Sequence, residues 1–485
     1  MKLNYKKVFY VGLAFFLISM FWQTYDSIIT KILIDKFGLN QTWSGVVMAL
    51  DNVLALFLIP LFGSLSDKKN SKRGKRTPYI IVGTVIAAFA FMALTFSDNV
   101  QLAKLETETS ITEQYDAFLE NEEELTRDDW LILRGQIREE WIDLETQEVI
   151  TSDRYEKFNK DILIVMENQL TDSEITVEEA DILKEAFYNH LNQRAWIQTT
   201  QSPAPFIIFS LTLLVALLSM ATFRSPAVAL MPDVTVKPLR SKGNAVINLM
   251  GTFGGITSIL ILTVWGLDKL SYVNYWPGFI TVGLLMLILL AIFLWKVNEP
   301  KLVEEKIAED IKYGLEDEEL EALVEHESIE ELSKAKKNSL ILILLSVFLW
   351  FFGYNAVTTK LSDYAPKVLG MGFSLPLLIA QGAALIAFVP IGILATKIGR
   401  KKTILIGITL LTLCFGSVYF LTPDTSFIMY FIFALTGIAW ATINVNSYPM
   451  VVELAKGSNV GKYTGFYYTF SMASQLLTPI ISGIL

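Results

Sequence analysis

The stretch Asp51–Ile81, DNVLALFLIPLFGSLSDKKNSKRGKRTPYII, decides how this chain folds. It belongs to an apolar segment whose one carboxylate is Asp51. The segment ends at Gly63 and Asp67, crosses a loop dense in lysine and arginine, and turns apolar again after Pro78. A water-soluble core has no use for this arrangement. A membrane protein does: charge inside a bilayer is expensive and is kept for function, and basic residues collect in loops on the cytoplasmic face.

The rest of the chain repeats the contrast. Its 485 residues are 52% hydrophobic with a mean hydropathy of +0.44, and the apolar residues come in long blocks. Each block is roughly 18–25 residues, the length a helix needs to cross a bilayer. The pattern predicts an all-α integral membrane protein with eleven spans. These are Val8–Ile34, Thr42–Leu65, Tyr79–Phe96, Pro205–Phe223, Gly243–Trp265 and Trp276–Trp295, then Ser339–Lys360, Leu375–Ala395, Thr403–Leu421, Phe427–Pro449 and Gly461–Leu485. The first block is too long for a cleaved signal peptide and lacks a small-residue cleavage site. Paired repeats lead one to expect six spans in each half, so a twelfth span is expected beyond Leu485.

Charge sets the orientation. Loops after even-numbered spans hold Lys68, Lys69, Lys72, Arg73, Lys75 and Arg76, then Arg224, Lys237, Arg240 and Lys242, then Lys397, Arg400, Lys401 and Lys402, then Lys456 and Lys462. Lys2, Lys6 and Lys7 precede the first span, while the short odd-to-even connections carry only Lys36, Lys269, Lys360 and Lys367. The N-terminus and the even-to-odd loops are therefore expected on the cytoplasmic side of the plasma membrane.

Two segments stand outside the spans. Residues 98–203 follow the third span and are expected outside the cell. Asp98–Arg194 holds 26 acidic and 9 basic residues, net −17, so the remainder of a chain at −9 overall is net +8. Apolar residues recur there at helical spacing, which predicts an external acidic helical insertion. No calcium-loop pattern of the D-x-[DN]-x-[DN]-G type occurs. Residues 297–337 form a charged cytoplasmic linker with one or two surface helices. The domains are then 1–97 with 204–296 as the N-terminal six-helix bundle, 98–203, 297–337, and 338–485 as the C-terminal bundle. Cys414 is the one cysteine, and the two histidines, His190 and His326, lie outside the spans. No metal site or cofactor is expected, and no nucleic-acid partner. Without a phosphate-binding G-x-x-x-x-G-K-[ST] loop, an ATP-driven pump is disfavoured.

The halves echo each other. Gly63-Ser-Leu-Ser-Asp67 with Lys72-Arg73-Gly74-Lys75-Arg76 follows the second span, and Gly392-Ile-Leu-Ala-Thr396-Lys397-Ile398-Gly399-Arg400-Lys401-Lys402 follows the eighth. Asp233 precedes Lys242 by nine residues, and Glu453 precedes Lys462 by nine. These motifs resemble the major facilitator superfamily, whose signature is G-x-x-x-D-[RK]-x-G-[RK]-[RK]. Here four residues, Lys69 to Lys72, separate Asp67-Lys68 from Arg73-Gly74. The expanded form resembles the branch of glycoside–pentoside–hexuronide:cation symporters and sucrose transporters. RSPAVALMPDVTVKPLRSKGNAVINLMG and WFFGYNAVTTKLSDYAPKVLGM are similar to bacterial members of it. The resemblance implies a two-bundle secondary transporter rather than an enzyme, acting as a monomer on a small molecule. In sodium-using members, acids stand one and five residues before a proline equivalent to Pro60. Here those positions are Ile59 and Ala55, which favours a proton over sodium.

Asp51 lies about nine residues into its span, roughly 13 Å at a 1.5 Å rise per residue, near the midplane. Asp51 and Asp26 are the ion-coupling candidates. Candidate sugar-binding residues are Gln23, Tyr25, Asn52, Asn248, Tyr354, Asn355, Gln381, Asn444 and Gln475, as amides and aromatic rings suit hydroxyls and C–H faces. Tyr354, Asn355, Thr358 and Thr359 are expected to interrupt the seventh span, and Gly251, Gly254 and Gly255 to allow close helix packing. Gly63, Asp67, Arg73, Gly74, Arg76, Asp233, Arg240, Gly399, Arg400, Lys401 and Glu453 are candidates for a cytoplasmic gate, with Asp67 pairing with Arg73 or Arg76. The function these residues suggest is proton-coupled sugar or glycoside transport. A proton-coupled exporter of drugs or small solutes is the second reading, and a non-transporting receptor the third.

Overall fold

The computed structural model describes residues 1–121, 125–171, 175–267, 270–315, 334–369, 371, 374–454 and 459–484. The linker residues 316–333 with His326, together with Lys269 and Lys456, lie outside them, as do the side chains of Thr359 and Lys367. The helices are α1 (Tyr5–Lys31), α2 (Gln41–Asp67), α3 (Thr77–Glu108), α4 (Ile111–Asn121), α5 (Arg127–Thr146), α6 (Ser152–Phe158), α7 (Ile164–Gln169), α8 (Val177–Gln201), α9 (Ala204–Asp233), α10 (Arg240–Val264), α11 (Trp276–Lys296), α12 (Glu299–Lys312), α13 (Lys334–Leu369), α14 (Ser374–Ile398), α15 (Arg400–Val418), α16 (Ile428–Val452) and α17 (Val460–Ile484). Ten of these, α1–α3, α9–α11 and α13–α16, are long and apolar enough among the described residues to cross a membrane. The eleventh expected span is the 25-residue α17.

Two bundles result: α1–α3 with α9–α11, and α13–α17. Their outer surfaces are apolar. Ile207, Ile208, Leu211, Val215 and Leu218 of α9 form an exposed stripe, and surfaces of that kind are stable against lipid, not water. Trp43, Trp265, Trp276 and Trp295 are exposed near helix ends, where aromatic rings sit at a membrane–water boundary. In the first bundle α1 and α10 pack closely; a side chain at Gly254 would lie 2.3 Å from the Phe16 carbonyl oxygen.

The insertion folds around its own core of Trp130, Trp141, Phe158, Phe187 and neighbours. Reciprocal caps start two of its helices: Thr126 with Asp129 for α5, and Thr176 with Glu179 for α8. Inside, the Trp141 indole N–H donates to Nδ1 of His190 at 2.9 Å, and Trp141 stacks on Phe158. Nδ1 must therefore be unprotonated, and Nε2–H donates to Gln114 Oε1 at 3.0 Å. Burial is the chief reason the His190 pKa falls to about 4, with Arg194 adding to it and Glu140 opposing.

The helices depart from the expected spans in several places, and α13 runs from Lys334 to Leu369 where Ser339–Lys360 is expected. The third span does not end at Phe96: α3 continues unbroken to Glu108, carrying the chain from the bundle into the insertion. Asp98 does not break it, because its carboxylate accepts from Lys36 Nζ at 2.6 Å with both side chains fully buried. The fourth span does not end at Phe223; α9 runs ten residues further to Asp233, through Arg224 and Pro226. Finally, Tyr354 to Thr358 do not interrupt α13. The Thr358 hydroxyl donates to the Tyr354 and Asn355 carbonyls and is satisfied within the helix.

Candidate functional site

Between the bundles lies a cavity of about 970 Å³. The first bundle contributes Trp22, Gln23 and Asp26 from α1, Asp51 and Asn52 from α2, Arg224 from α9 and Asn248 from α10. The second contributes Phe351, Gln381, Phe388, Trp440, Asn444, Tyr467, Tyr468 and Gln475. All the charged residues of this lining come from the first bundle. The second offers amides, hydroxyls and rings.

Arg224 is the residue that sequence reasoning misplaced: it stands in the cavity and not in a loop. Its guanidinium lies 5.5 Å from the Trp22 ring and 4.9 Å from the Tyr468 ring, so it touches a ring of each bundle. Such contacts are worth about 0.5–2 kcal/mol each. Its charge interacts with those of Asp51 and Asp26, while its Nε and Oδ1 of Asp51 make no hydrogen bond to protein. A signal was present in the sequence, since apolar residues resume after Arg224 and Ser225 and continue to Met231.

The structure places Asp26, Asp51, Gln23, Asn52, Asn248, Gln381, Asn444 and Gln475 together on this cavity. Tyr25, Tyr354 and Asn355 stand outside its lining. Tyr25 is buried in the first bundle against Phe21 and Trp22, leaving Trp22 to face the cavity. Tyr354 packs among Trp350, Phe415 and Trp440.

On its basic-loop side the cavity is closed by contacts between the bundles. Gly63 of α2 meets Gly461 of α17 so closely that a side chain at Gly63 would lie 2.1 Å from the Gly461 carbonyl oxygen. Ser225 donates to that oxygen at 3.1 Å, and Asn244 donates to Val445 O at 2.9 Å. Beside the glycines, Asp67 reaches across and accepts from the backbone N–H groups of Gly461 (2.9 Å) and Lys462 (2.8 Å). These are the unpaired donors of the first turn of α17, where a negative charge is favoured.

Arg76, not Arg73, holds Asp67 in place. Its Nη2 donates to Asp67 at 2.6 Å, its Nε to Asp233 at 2.7 Å, and its Nη1 to Ser66 Oγ. Burial opposes the charge on Arg76, but Asp233 and Asp67 outweigh burial and raise its pKa above the ordinary arginine value. Arg73 is exposed. In the second bundle Arg400 itself crosses, donating to Ser241 Oγ at 2.7 Å and Lys237 O at 2.6 Å, and it pairs with Glu453 of its own bundle. Gly399, at a φ of +89°, starts α15, and Lys401 is exposed. Arg240 bonds within its own loop, to the Thr235 and Pro232 carbonyls.

Two membrane-spanning bundles around a central cavity, joined at one end by hydrogen bonds from the charged side chains Asp67 and Arg400, define the class as a multi-pass transporter. The model of the Major Facilitator Superfamily matches residues 195–479, more than half of the chain, and that of MFS/sugar transport proteins matches residues 10–111. The chain belongs to the major facilitator superfamily. The sucrose transport protein SUC4 of Arabidopsis thaliana is 30% identical over 73 residues, which is 15% of this chain and 14% of that protein. A bacterial homologue of the iron transporter ferroportin in the outward-facing state superposes with a TM-score of 0.59 at 11% identity, covering 100% of this chain and 93% of that one. The proton:xylose symporter XylE bound to 6-bromo-6-deoxy-D-glucose superposes with a TM-score of 0.53 at 12% identity, covering 99% and 90%. At these identities the structures share the fold.

Proposed function

We propose that this protein is a secondary active transporter that moves a sugar or glycoside across the plasma membrane together with a proton, by alternating access. The N-terminus and basic loops face the cytoplasm, the insertion faces outside, and the closed basic-loop side makes this the outward-facing state. Charge balance carries the reading. The cavity sets two carboxylates, Asp26 and Asp51, against one guanidinium, Arg224. With both acids ionised its formal charge is −1, and one proton neutralises it. A neutral, desolvated cavity crosses between states more readily than a charged one. The amides Gln381, Asn444 and Gln475 suit hydroxyls, and the rings of Trp22, Trp440 and Phe351 suit the C–H faces of a sugar.

The aromatic lining also favours a second reading, a proton-coupled exporter of drugs or small solutes. Proteoliposomes with an imposed pH gradient separate the two. Gradient-driven uptake of a labelled sugar supports the symporter. Dye efflux without uptake of any sugar overturns it in favour of the exporter.

A further inference from the structure

Linker helix α12 begins Asn298-Glu299-Pro300, and its first carboxylate does not serve its own helix. Glu299 is buried against the N-terminus of α3. Its Oε1 accepts from the backbone N–H of Lys75 at 2.6 Å and of Arg76 at 2.9 Å, and its Oε2 from the Thr77 N–H and hydroxyl, each at 2.7 Å. These backbone groups have no partner inside α3, and the helix dipole favours an anion there. Gly74, at a φ of +97°, makes the room: a side chain there would lie 2.2 Å from Glu299 Cδ. A second pin holds α12, as Lys7 Nζ donates to Leu302 O at 3.3 Å and pairs with Glu305 at 3.6 Å. The counterpart helix α15 starts at Gly399, which has no side chain to act as a cap of its own.

We propose that Glu299 is the positioning residue of the Arg76 gate. It holds the Arg76 backbone so that the guanidinium stands between Asp67 and Asp233, and it ties the gate to the segment joining the halves. Two helix N-termini are thereby capped from outside in series, α3 by Glu299 and α17 by Asp67, with Arg76 between them. Loss of Glu299 frees Arg76, weakens the hold of Asp67 on α17, and shifts the population towards the state open on the basic-loop side. This inference rests on the alternating-access reading above.

The test uses the full chain with Cys414→Ala and Ser225→Cys. Ser225 is buried where the bundles meet. Labelling of the new cysteine by an impermeant maleimide, applied from the basic-loop side, reports opening. Glu299→Gln is expected to label about tenfold faster, as befits loss of charge-assisted hydrogen bonds, with Glu299→Asp in between. Arg76→Ala also labels faster, and Glu299→Gln combined with Arg76→Ala labels no faster than Arg76→Ala alone. Unchanged labelling in Glu299→Gln, or effects that multiply in the double variant, overturn the role of Glu299. If Arg76→Ala alone leaves labelling unchanged, the gate reading itself fails. Should Glu299→Gln not fold, Glu299→Asp must by itself label faster, or the proposal falls.

Discussion

The two bundles share a plan and differ in chemistry. Each carries a glycine and a basic motif at the end of its second helix, yet they lock in opposite ways. In the first, Arg76 is buried between two carboxylates of its own bundle, and the anion Asp67 crosses to a helix N-terminus. In the second, the cation Arg400 crosses, to a hydroxyl and a carbonyl, and its partner Glu453 is partly exposed. The cavity walls differ too, with charge in one and amides and rings in the other. The difference teaches that an internal repeat conserves where a lock and a site stand, while each half assigns them different work. On this view the first bundle senses the ion and the second grips the neutral solute.

The sharpest way to break the comparison is Asp51→Asn. It should abolish gradient-driven uptake, by more than about 100-fold on the scale of removing an essential proton carrier, while leaving the folded protein in the membrane. Wild-type coupling would remove Asp51 from its proposed role. Next come the locks. Arg76→Ala strands the buried Asp67 and the partly buried Asp233 and should lower stability by about 3–5 kcal/mol, read as a fall in melting temperature in detergent. Arg400→Ala should lose about 1–2 kcal/mol because one of its three partners is charged, and that one, Glu453, is partly exposed. Equal losses would erase the asymmetry.

Gly63→Ala should weaken closure by about 1–3 kcal/mol, seen as faster labelling of a cysteine at the seam. Gly392→Ala should do less, because its nearest neighbour would be the Ala245 side chain at 2.9 Å and not a backbone oxygen at 2.1 Å. The insertion, which interrupts the first bundle between α3 and α9 and has its own core, offers a pH test. His190 has a folded pKa of about 4 against 6.5 unfolded. Its contribution is complete above pH 6.5 and is lost as pH falls towards 4, because the unfolded state binds the proton first. Between pH 7 and 5 the insertion should lose about 2 kcal/mol, measured by hydrogen exchange at its core amides. His190→Gln should flatten that slope. The smallest effect is on the solute side: Gln475→Ala should raise the sugar KM several-fold, about 1 kcal/mol, and leave the proton dependence unchanged.

Much of this was legible in the chain. Spans follow from the length of apolar blocks, and Asp51 stands out because a carboxylate inside such a block needs a reason. Gly63 was visible through its echo, Gly392, after the eighth span, and Asp67 through the signature that the loop resembles. Arg224 was harder to place, because beside other even-to-odd bases an arginine reads as a loop although apolar residues resume after it; in the fold it stands against the Trp22 and Tyr468 rings. Glu299 was not legible, being one of many acids in a charged linker.

By itself the sequence determined the membrane-spanning class, the two-fold repeat, and a short list of polar residues too costly to place in a bilayer without use. These are properties of segments, set by hydrophobic length and local charge. Tertiary structure alone decided which of two neighbours faces the cavity: Trp22, not Tyr25. It decided which arginine is buried, and it brought Glu299 to a helix N-terminus more than 220 residues earlier in the chain. Neighbouring helical residues point about 100° apart, so a helix must pack before any of its side chains acquires a role.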